Sequence, residues 1–255
     1  MDEKTTDLDQ AAVRGNPSFV WRAGQERRLS MVRQWAPLEG KRVLDVGSGV
    51  GIYLSAFGRY TSHAAGIEIE SERAREARQQ GMAVVQAVGE ALPFAENAFD
   101  VVFSHEVIEH VRDDRQAVAE MARVTAPGGR IVIFCPNRWY PFETHGHFWR
   151  GEYHFGNTPL INYLPDRWRD WLAPHVRAYS TRRLYALFDH LDLCPIHHRQ
   201  IFPGYDNLAV RSPSLGRCLR RLTYLLERTP LRVLGISHFL VLEKGGRALA
   251  QGTEA

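Results

Sequence analysis

The sequence has no uninterrupted apolar run near the eighteen or so residues that a membrane-spanning helix requires, so none is expected. Cysteine is scarce. Cys135, Cys194 and Cys218 are scattered, with no Cys-x-x-Cys pair. That pattern argues against a zinc site and a disulfide framework, and fits reduced thiols in a cytoplasmic protein. Internal repeats and low-complexity tracts are lacking. Charge of one sign is lacking too: a net +3 over 255 residues gives no reason to expect a nucleic-acid partner. The opening "MDEKTTDLDQ" is acidic and polar, unlike a secretory signal. Residues 1–16 are therefore expected to be a flexible N-terminus ahead of a single domain over 17–255. What remains, 44% hydrophobic and 24% charged, is the composition of an ordinary globular chain with enough length to bury a full core.

A helix is expected over Ser18–Trp35, stopping before Pro37 and Gly40. From Lys41 the pattern alternates. "RVLDV", "HAAGIEI", "MAVVQAV", "FDVVFSH" and "RIVIFCP" read as strands. Helices fall between them at Ile52–Phe57, at "SERAREARQQG" with Ser71 as N-cap, and over Asp113–Val124. Strands alternating with helices imply parallel strands joined by right-handed crossovers, an open α/β sheet. After Pro136 the rhythm breaks. Residues 137–178 are rich in Trp, Tyr, Phe, His and Pro without a clear period. Ser180 then caps "TRRLYALFDHL", "LCPIHHRQIF" reads as a strand, a basic helical stretch runs from Ser212 to Gly235, and "HFLVLEK" closes the pattern. Two insertions, 137–178 and 203–236, thus interrupt the body after its fifth and sixth strands.

The stretch "VLDVGSGVG" joins the first strand to the first helix of this pattern. Ligands of open α/β sheets sit beyond the carboxyl ends of the strands, where glycines let backbone approach them and a helix offers free N–H groups. A dinucleotide fingerprint needs Gly or Ala at its third position. Gly47 and Gly49 fit, but that position is Ile52. A phosphate-binding P-loop is excluded, since no Gly-Lys-Ser/Thr follows. Asp45 precedes the first glycine by two residues, where its charge would repel a pyrophosphate and suit a cationic ligand. S-adenosyl-L-methionine, with its sulfonium and ammonium, meets that requirement. Glu68, ending the second strand, can accept two hydrogen bonds from a ribose diol, which fits NAD equally well.

"VLDVGSGVG", "GIEI", "EALPFAENAFDVVFSHEVIEHV" and "RVTAPGGRIVIF", in this order and spacing, resemble the class I S-adenosylmethionine-dependent methyltransferases. Within them they resemble the broad type 11 branch that includes ubiquinone and menaquinone methyltransferases. The resemblance implies a Rossmann-like, doubly wound, mostly parallel seven-stranded sheet with an antiparallel last strand. Carried over by position, it assigns Asp45, Gly47, Ser48, Gly49 and Gly51 to the cofactor turn, Glu68 to the ribose and Ile69 to the adenine. Val88 stands where an acid often accepts from the adenine amino group, so Gly89 and Glu90 are assigned that edge instead. Ser104 and His105, with Glu106, close the pocket.

In "EVIEH", Glu106, Glu109 and His110 share one face if the segment is helical. They read either as a base or divalent-metal cluster, or as helix-entry acids beside a packed histidine. The first insertion holds Glu143, His145, His147 and His154 among aromatics. A His-x-His pair can ligate metal, but no further ligand stands at characteristic spacing and no metal is assigned. An aromatic substrate cover carrying a histidine base is expected instead, with His145, His147 and His110 as catalytic candidates; the rival reading has these aromatics bury the insertion's own small core. The basic 212–235 stretch can lie on an anionic membrane surface or be an ordinary surface helix. The expected activity is methyl transfer from S-adenosyl-L-methionine to a small-molecule or lipid-like acceptor, with oxygen favoured over nitrogen or carbon. Two alternatives stand beside it, a non-catalytic S-adenosylmethionine-binding protein and a nicotinamide-dependent oxidoreductase. The motifs do not name the acceptor or the oligomeric state.

Overall fold

The computed structural model describes residues 21–245; the expected flexible segment 1–16, and the first residues of the expected Ser18–Trp35 helix, lie outside the described residues. Within them the chain runs α1 (Ala23–Trp35), β1 (Val43–Val46), α2 (Ile52–Phe57), β2 (Ala64–Glu68), α3 (Ser71–Gln79), β3 (Val84–Gln86), β4 (Phe99–His105), α4 (Asp114–Val124) and β5 (Thr125–Pro136). The first insertion adds β6 (Phe142–Glu143), β7 (His147–Trp149), β8 (Glu152–His154), β9 (Thr158–Pro159) and α5 (Asp166–Leu172). Then come α6 (Thr181–Tyr185) and β10 (Leu193–Ile201). The second insertion supplies α7 (Asp206–Arg211) and α8 (Pro213–Leu226), and β11 (Ser237–Lys244) is the last strand.

Seven strands form one sheet in the order β10-β11-β5-β4-β1-β2-β3. Only β11 runs against its neighbours, β5 and β10, as the resemblance implied. β1 sits between β2 and β4 in parallel register, with Asp45 opposite Gly66 on one side and Phe103 on the other. The chain leaves β1 for β2 and β3 in one direction and returns to β4 on the other side. The switch point therefore lies at the carboxyl ends of β1 and β4, where such sheets bind ligands.

Both faces of the sheet are covered, so its strands read as continuous apolar runs. Alternate residues feed two cores. Leu44, Val46, Ile131 and Ile133 pack with Val118, Met121 and Leu184 from α4 and α6. Val43, Phe103, Val132 and Phe134 pack with Leu29, Val32, Phe57 and Ala74 from α1, α2 and α3. Each such fully buried side chain contributes about 1.5–3 kcal/mol relative to exposure.

Local signals hold with three corrections, the first being that α6 ends at Tyr185 although "TRRLYALFDHL" runs on to Leu191. Asp113 caps α4 by accepting from the Gln116 N–H at 3.0 Å, and Ser180 caps α6 by accepting from the Arg183 N–H at 3.3 Å. Ser71, however, is the first helical residue of α3, and its cap is the extended Glu70. The reason is upstream: the Glu70 N–H donates to the Glu68 carboxylate at 2.9 Å and fixes where the helix can begin. The third strand is also shorter than "MAVVQAV", spanning only Val84–Gln86.

The aperiodic first insertion folds as two small antiparallel pairs, β6 with β9 and β7 with β8. Its base is tied to the end of the second insertion: the Asn137 side-chain amide donates to the carbonyls of Val233 and Gly235, at 2.7 Å each. Both insertions thus leave the sheet on the rim where Pro136, Ser237 and Ile201 are paired neighbours, the same end as the switch point.

Candidate functional site

A cavity of about 340 Å³ opens at the switch point. Of the residues expected at a cofactor, Asp45, Gly47, Ser48, Gly49, Glu68, Ile69, Gly89, Glu90 and His105 line it. Gly51 and Ser104 do not. Gly51 is bare for packing: a Cβ there would meet the Met82 sulfur at 2.1 Å, and its φ of +87° favours glycine besides. Ser104 points into the sheet and is fully buried, its hydroxyl without a partner.

Two acids define one end of the cavity. The Glu68 carboxylate, almost fully buried, accepts from the Gly49 N–H at 2.8 Å and the Glu70 N–H at 2.9 Å, so turn and carboxylate hold each other in place. Each oxygen keeps a lone pair for a further donor. Asp45 is buried beside it. Burial first, and the Glu68 charge second, push its carboxyl up to about 8. A site that raises a carboxyl this far gains from a cationic guest and resists a diphosphate. The donor set therefore fits S-adenosyl-L-methionine: carboxylates for the ribose diol and the ammonium, and bare backbone at the turn. Glu90 lines the same cavity and accepts from the Arg112 N–H at 2.7 Å, which stiffens the segment ahead of α4.

Sequence reasoning missed Tyr53 in the cavity wall and the Arg28 charge that acts on it. Arg28, on α1, has a buried Nε with no partner, as do the Tyr53 hydroxyl and His105 Nε2. Tyr53 and His105 line the cavity with their rings 5.2 Å apart. Burial and then the Arg28 charge hold the His105 imidazole down to about 4, so it is neutral at physiological pH. These are orphan donors where a small carboxylate would be welcome. One signal was available: Arg28 occupies an i, i+4 row with Gly24 and Val32, both buried, so a charge stands on the apolar face of a helix.

The histidine candidates divide. His145 and His110 line the cavity; His147 does not. His147 stacks on His154 across the β7–β8 pair, centroids 5.3 Å apart, and its Nδ1 meets the Thr158 hydroxyl at 3.0 Å. Alternation along a strand explains this, since neighbours two apart share a face but the turn at Gly146 (φ +82°) breaks the row. Among residues 137–178, His145 alone lines the cavity. Most of the insertion's large rings face outward.

His145 is held from behind. Its Nδ1 lies 3.2 Å from Glu143 Oε1, and Glu143 Oε2 accepts from Arg169 at 2.9 Å. Both members of that ion pair are 3% exposed. Burial alone would raise the Glu143 carboxyl, but the hydrogen bond from His145 and the Arg169 charge hold it down to about 2. A carboxylate at Nδ1 leaves Nε2 as the free lone pair. Nε2 faces Glu106 at 3.9 Å. Glu106 sits at φ +55°, strained backbone at the mouth of the site.

Glu109, His110 and His145 bring ligand atoms within 4.8 Å of one another, a grouping able to hold a cation although the sequence spacing assigned none. His110 Nδ1 is 3.3 Å from the His175 carbonyl, leaving its Nε2 available. Both Glu109 oxygens are buried without a partner, and burial together with the nearby Glu106 charge raises its carboxyl well above the ordinary range.

Residues 44–133 match the family described as "Methyltransferase domain". A protein of Mycobacterium sp. (strain JLS) named as an uncharacterized methyltransferase is 41% identical over 108 residues, covering 42% of this chain and 43% of that one. A ubiquinone biosynthesis O-methyltransferase of Xylella fastidiosa is 33% identical over 118 residues, covering 44% and 48%. The chain thus spans less than half the length of these curated relatives. A crystal structure of an S-adenosylmethionine-dependent methyltransferase from Mesorhizobium loti superposes with a TM-score of 0.61 at 18% identity, covering 93% of this chain and all of that one, a likeness of fold.

Proposed function

Because residues 44–133 match the methyltransferase-domain family, we propose that the chain transfers a methyl group from S-adenosyl-L-methionine to a hydroxyl of a small or lipid-like acceptor. S-adenosyl-L-methionine, when bound, supplies a methyl carbon already activated by its sulfonium. Glu68 accepts from the ribose, Asp45 faces the ammonium, and Tyr53, with the Arg28 charge behind it, receives the carboxylate. His145 takes the proton from the acceptor oxygen at Nε2 while Glu143, anchored by Arg169, steadies the imidazolium. Glu143 and Arg169 touch no reactant and are positioning residues.

The observation that carries this reading is the buried Arg169–Glu143–His145 chain ending at the cavity. Methyl transfer to nitrogen or carbon can run on positioning alone, whereas a hydroxyl nucleophile calls for a base. The name of the Xylella fastidiosa relative, an O-methyltransferase, supports the same choice. The test is release of S-adenosylhomocysteine with hydroxylated aromatic acceptors such as catechols and quinols. His145→Ala should lower the rate about 10²–10⁴-fold with cofactor affinity unchanged. A His145→Ala enzyme at full rate ends the proposal, and cofactor binding without turnover on any acceptor leaves the non-catalytic alternative.

The grouping of Glu109, His110 and His145 favours one second reading, in which a divalent cation lowers the pKa of the acceptor hydroxyl and His145 is a ligand. The two unpartnered Glu109 oxygens support it. Treatment with EDTA separates the readings: activity lost and restored by Mg²⁺ or Zn²⁺ selects the metal, and unchanged activity selects the base.

A further inference from the structure

Large apolar side chains that stay exposed are not spread over this molecule. Among the described residues seventeen are at least 40% exposed, and fourteen of them belong to the two insertions. The remaining three, Ile69, Val85 and Val88, lie near the cofactor end of the sheet. In the first insertion Trp149, Trp168 and Trp171 are 50%, 63% and 68% exposed.

Helix α8 shows how the second insertion is arranged. Its seam toward the protein runs through Gly216 and Thr223, both buried. The outer half would ordinarily be polar. Here it carries Leu215, Leu222 and Leu225, each 48–59% exposed, on one strip. At 100° per residue, Arg217 and Arg221 form a second strip alongside. Arg211, Arg228 and Arg232 flank the helix, and all five arginines are exposed with no ion-pair partner among the described residues. The two carboxylates of this insertion are already used: Asp206 binds Arg220 at 2.8 Å and Glu227 binds Arg27 at 2.5 Å.

We propose that the outer face of α8, with the exposed tryptophans of the neighbouring insertion, docks on an anionic phospholipid bilayer. The charge pattern selects that occupant. In a two-fold dimer through this face, five uncompensated arginines would meet their own copies, which like charges oppose. A single-stranded nucleic acid stacks its bases on aromatic faces beside the cations that hold its backbone; the strip beside Arg217 and Arg221 offers leucines, and the exposed tryptophans stand on the other insertion. A bilayer surface accepts leucines into the acyl boundary, arginines among phosphates, and tryptophans at the headgroup level. Both insertions rise from the rim around the cavity, so docking would set the cavity mouth toward the lipid. The proposal does not rest on the transfer reaction.

The test is co-sedimentation of the full chain with phosphatidylcholine vesicles and with vesicles containing 30% phosphatidylglycerol. Binding is expected to the anionic vesicles at least tenfold over the neutral ones, weakening as salt is raised, with a blue shift of tryptophan emission. Arg217→Glu with Arg221→Glu should lose at least tenfold in vesicle binding while keeping cofactor affinity and thermal midpoint. Because Leu222→Ser with Leu225→Ser changes only exposed side chains, it gives a second, fold-safe variant that should also lose binding. Equal binding of both variants and the parent, no preference for anionic vesicles, a dimer that the leucine variant dissociates, or displacement from vesicles by a single-stranded oligonucleotide would each overturn the proposal.

Discussion

The sheet and the two insertions follow opposite rules. Between Val43 and Pro136 apolar residues point inward and the strands are buried on both faces; in 137–178 and 203–236 tryptophans and leucines point outward. Charge divides the same way, with Asp45, Glu68 and Glu106 at the cavity and uncompensated arginines on α8. The sheet is organised around its own core and an internal guest. The insertions are organised around one buried ion pair and leave most of their large apolar side chains outside.

That contrast breaks first at Arg169. Removing it leaves Glu143 charged, buried and unpaired, so Arg169→Met should cost about 3–5 kcal/mol, seen in urea unfolding. Cofactor affinity should hardly change, because the loss is confined to the insertion. If cofactor binding collapses too, the two regions are not separate. The next largest effect lies on the sheet side. Glu68→Ala removes two charge-assisted hydrogen bonds of about 1.5–3 kcal/mol each, so cofactor affinity should fall 100-fold or more by calorimetry. It should leave vesicle binding by α8 unchanged.

A smaller effect concerns protons. Asp45 has its carboxyl raised to about 8 in the ligand-free protein. The raised value means that its stabilising contribution is complete below the ordinary 3.8 and is lost as pH rises through 8. A cationic guest favours the carboxylate, so binding S-adenosyl-L-methionine at pH 7 should release close to one proton, and fewer above pH 9. Calorimetry in buffers of different ionisation enthalpy measures this directly. Proton uptake, or none, would place the sulfonium or ammonium away from Asp45.

The sheet was legible because its signals are local and repetitive. Strand patterning, the Ser180 cap, and the turn from Asp45 to Gly51 each act over a few residues, and the acid at Glu68 ends a strand whose register β1 fixes. What the sequence hid depends on distant partners. The Arg28 charge acts on Tyr53 and His105 from α1, outside the quoted motifs. Arg169 reaches Glu143 across 26 residues, and nothing in "DRWRDWL" announces that its second arginine is buried. His145 and His147 look equivalent as His-x-His; only the turn at Gly146 and the β7–β8 pairing send one to the cavity and the other to His154. Composition reports residue type and not direction, so the outward course of most rings in 137–178 is invisible in the sequence.

The finest test of the sheet side is Val88→Asp. Val88 is 40% exposed at the segment between β3 and β4, next to Gly89 and Glu90, which line the cavity. If the adenine lies along this edge, an acid there gains one hydrogen bond to the amino group, of about 0.5–1.5 kcal/mol net. Cofactor affinity should therefore tighten about two- to tenfold. An exposed valine contributes little to packing, so the thermal midpoint should stay within error. An unchanged affinity with an unchanged midpoint would mean that the adenine does not reach Val88 and that Glu90, already engaged with the Arg112 N–H, does not mark its edge. Weaker binding would mean that the added charge meets an acceptor, which would turn the purine the other way round in the pocket.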